Sequence, residues 1–109
     1  MMPAVQNFGS IAVLGEREIS LGFRLLGVTN SIIAEGEKGV DKFNELFGSG
    51  NFTFIMVSEN LKRFMDRRTL DLIETSTVPL VVFVPLPGGG DEESIEKFAK
   101  RVLGVDIGR

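Results

Sequence analysis

Three stretches of the chain, Ile11-Ala12-Val13-Leu14, "NFTFIMVS" (51–58) and "VPLVVFVP" (78–85), are nearly unbroken apolar runs rich in β-forming residues. A strand with one wet face alternates apolar and polar residues, whereas a strand buried on both faces does not. Between these runs lie segments with helical spacing. Strands that alternate with helices in this way predict a parallel sheet covered on both sides, because parallel neighbours must be joined by crossovers.

The chain reads as four repeats of strand then helix within 109 residues, a single α/β domain with its core at about 10–86. The first strand is placed at about Ser10 to Leu14 and its helix at Glu18 to Leu26, with Ile19, Gly22, Phe23 and Leu26 on one face and Gly27 as the stop. Gly22, on the buried face, is expected to let that helix lie close to the sheet. The second pair is Ser31 to Ala34 and Gly39 to Phe47, with Val40, Phe43, Leu46 and Phe47 inward and Gly48 closing the helix. The third strand, Phe52 to Val57, is followed by Ser58 as N-cap of a long helix reaching toward Ile73. The fourth strand lies between Pro79 and Pro85, positions that strand ends tolerate. A Gly-rich connector at 85–90 then leads to a C-terminal helix at about 91–104, with Asp91 as cap, Glu92 and Glu93 in its first turn and Lys100 and Arg101 in its last. Right-handed crossovers favour the flavodoxin- and receiver-like strand order 2-1-3-4, with the topological switch between the first and third strands.

Such a sheet binds ligands beyond the carboxyl ends of its strands at the switch. The residues expected there are Gly15, Glu16 and Arg17 after the first strand and Ser58, Glu59 and Asn60 after the third. None of the familiar chemistries is present. The dinucleotide fingerprint needs G-x-G-x-x-G after the first strand, where the chain has Gly15 and then no glycine until Gly22, and there is no P-loop G-x-x-x-x-G-K-[ST]. A phosphoacceptor domain needs an Asp closing the third strand and a Lys ending the fourth, where this chain has Ser58 and Pro85. The segment "GEREIS" puts two carboxylates where a phosphate would sit.

Composition narrows the chemistry further. With no Cys and no His, the chain has no thiol nucleophile, no disulfide and neither of the commonest transition-metal ligands. The formal charge of −3, with Lys and Arg spread along the chain, argues against nucleic acid as a partner. No apolar run approaches the ~18 residues of a membrane span, and the N-terminus lacks the pattern of a signal peptide, so a cytoplasmic domain is expected. Glu16 and Glu59 could form a divalent-metal pair, or be two carboxylates favoured by helix N-termini and facing solvent. The residues therefore assign no catalytic, cofactor-binding or metal-binding position and turn attention to helix surfaces.

On the long third helix Leu61, Met65 and Leu72 share one face, with Phe64 beside it. Arg68 interrupts that stripe, which implies either a bend near Asp66–Arg68 or a snorkelling arginine. The opposite face carries Arg63, Arg67 and Leu70, basic and apolar together, a mixture suited to an acidic partner helix. On the last helix Lys97, Lys100 and Arg101 lie outside the apolar stripe, and a helix hung on a Gly-Pro loop can be docked or swung out. Three functions remain open: a partner-binding domain, a degenerate receiver-like signalling domain without a phosphoacceptor, and a small metal enzyme using Glu16 and Glu59.

Four segments carry a family resemblance. "IAVLGEREISLGFRLLGV", "NFTFIMVSENL", "VPLVVFVPLPGGG" and "ESIEKFAKRVLGVDI" resemble, in order and spacing, the F subunit of archaeal and vacuolar-type rotary ATPases. The specific part is the Gly22-Phe23-Arg24-Leu25 block together with the Gly-Val-Asp-Ile ending. The resemblance implies a non-catalytic central-stalk component that binds the D-subunit coiled coil and turns with it inside the catalytic A/B hexamer. It implies coupling of ATP turnover to H⁺ or Na⁺ transport, with no cofactor and no insertion into the membrane. It also implies a peripheral position on the cytoplasmic face of the cell membrane and a mobile, regulatory C-terminal helix. The long Gly-Gly-Gly connector and Phe83, where the family commonly has an acidic residue, are departures from its pattern.

Overall fold

A computed structural model describes residues 10–85. Within it, β1 (Ile11–Gly15), α1 (Arg17–Leu25), β2 (Asn30–Ile33), α2 (Gly36–Ser49), β3 (Phe54–Ser58), a 3-10 helix (Glu59–Phe64), α3 (Arg67–Thr75) and β4 (Leu80–Val84) follow one another. The four strands form one sheet in the order β2-β1-β3-β4, and all three pairings are parallel. The doubly wound α/β fold expected from the apolar runs is the fold observed. The expected C-terminal helix lies outside the described residues.

The apolar runs are continuous because each strand feeds two cores. Ala12 and Leu14 of β1, Ile55 and Val57 of β3 and Val81 of β4 point to one face. There they meet Phe43 and Leu46 of α2, Leu61 and Met65 around the 3-10 helix, and Ile73 of α3. The intervening Val13, Met56 and Val84 point to the other face, against Ile19 and Phe23 of α1 and Val28. Full burial of a side chain such as Phe23 contributes about 1.5–3 kcal/mol.

Most of the "GFRLLGV" segment is structural, while Leu25 within it is 83% exposed. Phe23 is fully buried. Gly27, at φ 108°, and Val28 close α1 in a Schellman motif: the Gly27 N–H donates to Arg24 O at 3.0 Å and the Val28 N–H to Phe23 O at 3.1 Å. The Arg24 guanidinium donates to the Ser31 carbonyl, and the Ser20 hydroxyl donates to the Ile32 carbonyl at 2.6 Å. Both bonds tie α1 to the edge strand β2. Gly22 is half-buried, at the margin of the arc formed by Ile19, Ser20 and Phe23.

Two expected helices change shape. α2 starts at Gly36 and runs to Ser49, past the expected stop at Gly48. The long third helix is two helices. Ser58 Oγ accepts the Asn60 N–H at 3.2 Å, which is the expected cap, but it caps a 3-10 turn. Met65 is then extended (ψ 141°), and Asp66 caps a new helix by accepting the Thr69 N–H at 2.8 Å. Of the two readings of Arg68, the bend is the one observed, as a complete break at Met65–Asp66. A 3-10 turn advances 120° per residue and an α-helix 100°, so a phase set at Leu61 does not carry across it.

Candidate partner-binding surfaces and the switch-point cleft

Gly15 ends β1 where the sheet switches direction, and the reason for a glycine there is steric. A Cβ on Gly15 would stand 2.8 Å from the Ser58 Cβ at the end of β3. Two neighbouring strand ends meet closely at this point, with no room for a side chain at position 15. Ser58, in the position where a phosphoacceptor Asp would stand, is fully buried.

Above this contact lies an open cleft of about 420 Å³ lined by Glu16, Glu35, Gly36, Asn60, Leu61, Arg63 and Phe64. The Glu16 carboxylate accepts from the Asn60 side-chain amide at 2.8 Å, while its buried Oε1 makes no hydrogen bond of good geometry. Burial alone would raise the Glu16 pKa. The Ser58 hydroxyl acting as a nearby dipole, the Asn60 amide and the residue's own backbone N–H outweigh it and hold the carboxyl below its ordinary range. Glu59 is exposed, and the side chain that reaches Glu16 is that of Asn60. Among the described residues no group of three His, Cys, Asp or Glu could hold a metal ion. The cleft thus carries two carboxylates, Glu16 and Glu35, against one cation, Arg63.

The break before α3 redistributes the expected partner surface. Leu70, placed on the outer face by the single-helix reading, is instead half-buried and packs against the core. Leu72, placed on the core stripe, is 52% exposed. Arg63 lines the switch-point cleft. Arg67 and Leu70 line a different depression, about 470 Å³, between α3 and the edge strand β4. The structure therefore brings Arg67 and Leu70 together and separates Arg63 from them. Lys97, Lys100 and Arg101 lie outside the described residues. Sequence reasoning missed Lys62, whose Nζ sits 4.7 Å from the centroid of the Phe83 ring. A cation one turn after a strand facing an aromatic on the neighbouring strand is the signal that could have found it.

Among the described residues no helix is long and apolar enough to cross a membrane. Comparison with known proteins agrees with the sequence pattern. The chain is 58% identical over 98 residues to the F subunit of the A-type ATP synthase of Thermoplasma volcanium, covering 90% of this chain and 94% of that protein. It is 56% identical to its counterpart in Thermoplasma acidophilum, with the same coverage. A more distant relative, the A-type ATP synthase F subunit of Thermococcus onnurineus, is 31% identical over 106 residues, covering 91% of this chain and 98% of that protein. No solved structure gives a significant match. The sequence profile of the family described as ATP synthase (F/14-kDa) subunit matches residues 11–102, and the chain belongs to that family.

Proposed function

We propose that this chain is the non-catalytic F subunit of an archaeal-type rotary ATP synthase. In this reading it binds the coiled-coil D subunit of the central stalk, turns with it inside the A/B hexamer and helps couple ATP turnover to H⁺ or Na⁺ transport. It would sit at the cytoplasmic face of the membrane as a peripheral component, touching the A and B subunits transiently. Arg63, Arg67, Leu70, Lys97, Lys100 and Arg101 are the side chains proposed to meet partners.

The observation that carries the non-catalytic part is the Glu16 carboxylate, held ionised beside Asn60 at the strand ends where this fold class binds phosphates. A polyphosphate entering there meets two carboxylates, Glu16 and Glu35, against one cation, Arg63, and no P-loop lysine. The full-length chain, purified alone, should release no phosphate from MgATP above background. Turnover that disappears on Glu16→Gln would contradict the reading.

A further inference from the structure

α1 and α3 are both nine residues long, yet they are fastened to the sheet differently. α1 buries Ile19, Ser20 and Phe23, and its Ser20 hydroxyl and Arg24 guanidinium donate to carbonyls of β2. α3 buries Ile73 alone, with Leu70 half-buried against the core and Leu72 facing outward. The side-chain hydrogen bonds of α3 close on its own segment. Asp66 accepts the Thr69 N–H, and the Thr75 hydroxyl donates to the Asp71 carbonyl at 3.1 Å. Among the described residues no side-chain hydrogen bond and no ion pair joins α3 to the sheet. The depression of about 470 Å³ between α3 and β4 leaves its apolar contact incomplete as well.

The chain on either side of α3 is held in place. Before it, Leu61 and Met65 are buried in the core, and Met65 is extended. After it, Ser76 is extended, at ψ 133°, and its hydroxyl donates to the Pro79 carbonyl at 2.7 Å. Helical geometry therefore stops abruptly at two anchored points. A nine-residue helix is too short to persist alone in water. Leaving the sheet and unwinding are then a single event, and the backbone amides of α3 report directly whether it is docked.

We propose that α3 is a hinged cover that opens on its own. Residues 66–75 leave the sheet and unwind together between the fixed points Met65 and Ser76, while the four strands, α1 and α2 stay folded. Opening bares the apolar side of β4 carried by Val81 and Phe83, which line one groove with Leu70 and Ile73. Segments with few buried apolar contacts open in this way at a free energy below that of global unfolding.

The experiment follows amide hydrogen exchange by NMR in the full-length chain, in urea well below the unfolding transition. After correction for intrinsic rates, the amides of Leu72, Ile73 and Glu74 should exchange at least about thirtyfold faster than those of Phe23 in α1 and Met56 in β3. Their urea dependence should be shallower, because less surface is exposed. Ile19→Val, in the core on the opposite face of the sheet, weakens only the part that stays folded. It should speed exchange at Met56 about threefold or more and leave the α3 amides unchanged. Protection in α3 equal to that at Phe23 and Met56 would overturn the proposal. So would α3 amides that speed up in Ile19→Val by the same factor as Met56, since α3 would then open only when the whole domain unfolds.

Discussion

Gly39 lies inside α2, where helix propensity alone would favour almost any other residue. Its role is set by a neighbour distant in the chain. A Cβ there would stand 2.6 Å from Leu61 Cδ2 and 3.3 Å from the carbonyl carbon and oxygen of Ala34. Leu61 is itself buried, so its methyl has little room to retreat. Gly39→Ala should therefore destabilise the fold by about 1–3 kcal/mol in spite of its better helix propensity, as read from urea unfolding midpoints. An unchanged or raised midpoint would mean that α2 can slide away from the 3-10 helix at no cost. Sequence periodicity points to Gly22 as the close-packing glycine of the first helix and assigns Gly39 no such role. Periodicity within one helix shows which face is inward, but not what another segment presses against that face.

At the scale of elements, the strands were the most legible part. Their apolar runs are long, and burial on both faces leaves few alternatives, so three of the four strands were displaced by only one or two residues. The third helix was not legible in full. Arg68 on an apolar stripe signalled either a bend or a snorkelling side chain, and "MDRRT" reads as ordinary helix until the Asp66 carboxylate is seen to accept the Thr69 N–H. Exchange of the roles of Leu70 and Leu72 follows from that one hydrogen bond. The bond also makes α3 sensitive to acid. The Thr69 hydrogen bond holds the Asp66 carboxyl below its ordinary value of 3.8. A depressed carboxyl stabilises the folded state fully above the unfolded value, and the contribution disappears as pH falls through the lower, folded value. Stability of the wild type should thus fall more steeply below pH 3.8 than that of Asp66→Asn, which keeps a capping oxygen without titrating. Parallel acid limbs in denaturant titrations of the two proteins would contradict the capping account.

At the scale of the whole molecule, the described residues combine the architecture of a ligand-binding α/β domain with close-packed strand ends that carry none of the familiar phosphate-binding motifs. Gly15 is pressed against Ser58, Glu16 is ionised beside Asn60, and the open apolar ground lies on the flank between α3 and β4. The lack of a P-loop and of a receiver-type phosphoacceptor was readable from residue types alone, because no fold can supply a motif that the chain does not encode. The separation of Arg63 from Arg67 was not, since the two share a stripe only if the helix is unbroken. The most direct test of the central claim is calorimetric titration of the full-length chain with the D subunit and, separately, with MgATP. The account predicts a saturable one-to-one complex with the D subunit and no measurable heat of binding with MgATP. Saturable binding of MgATP by the chain alone, with no association to the D subunit, would contradict it.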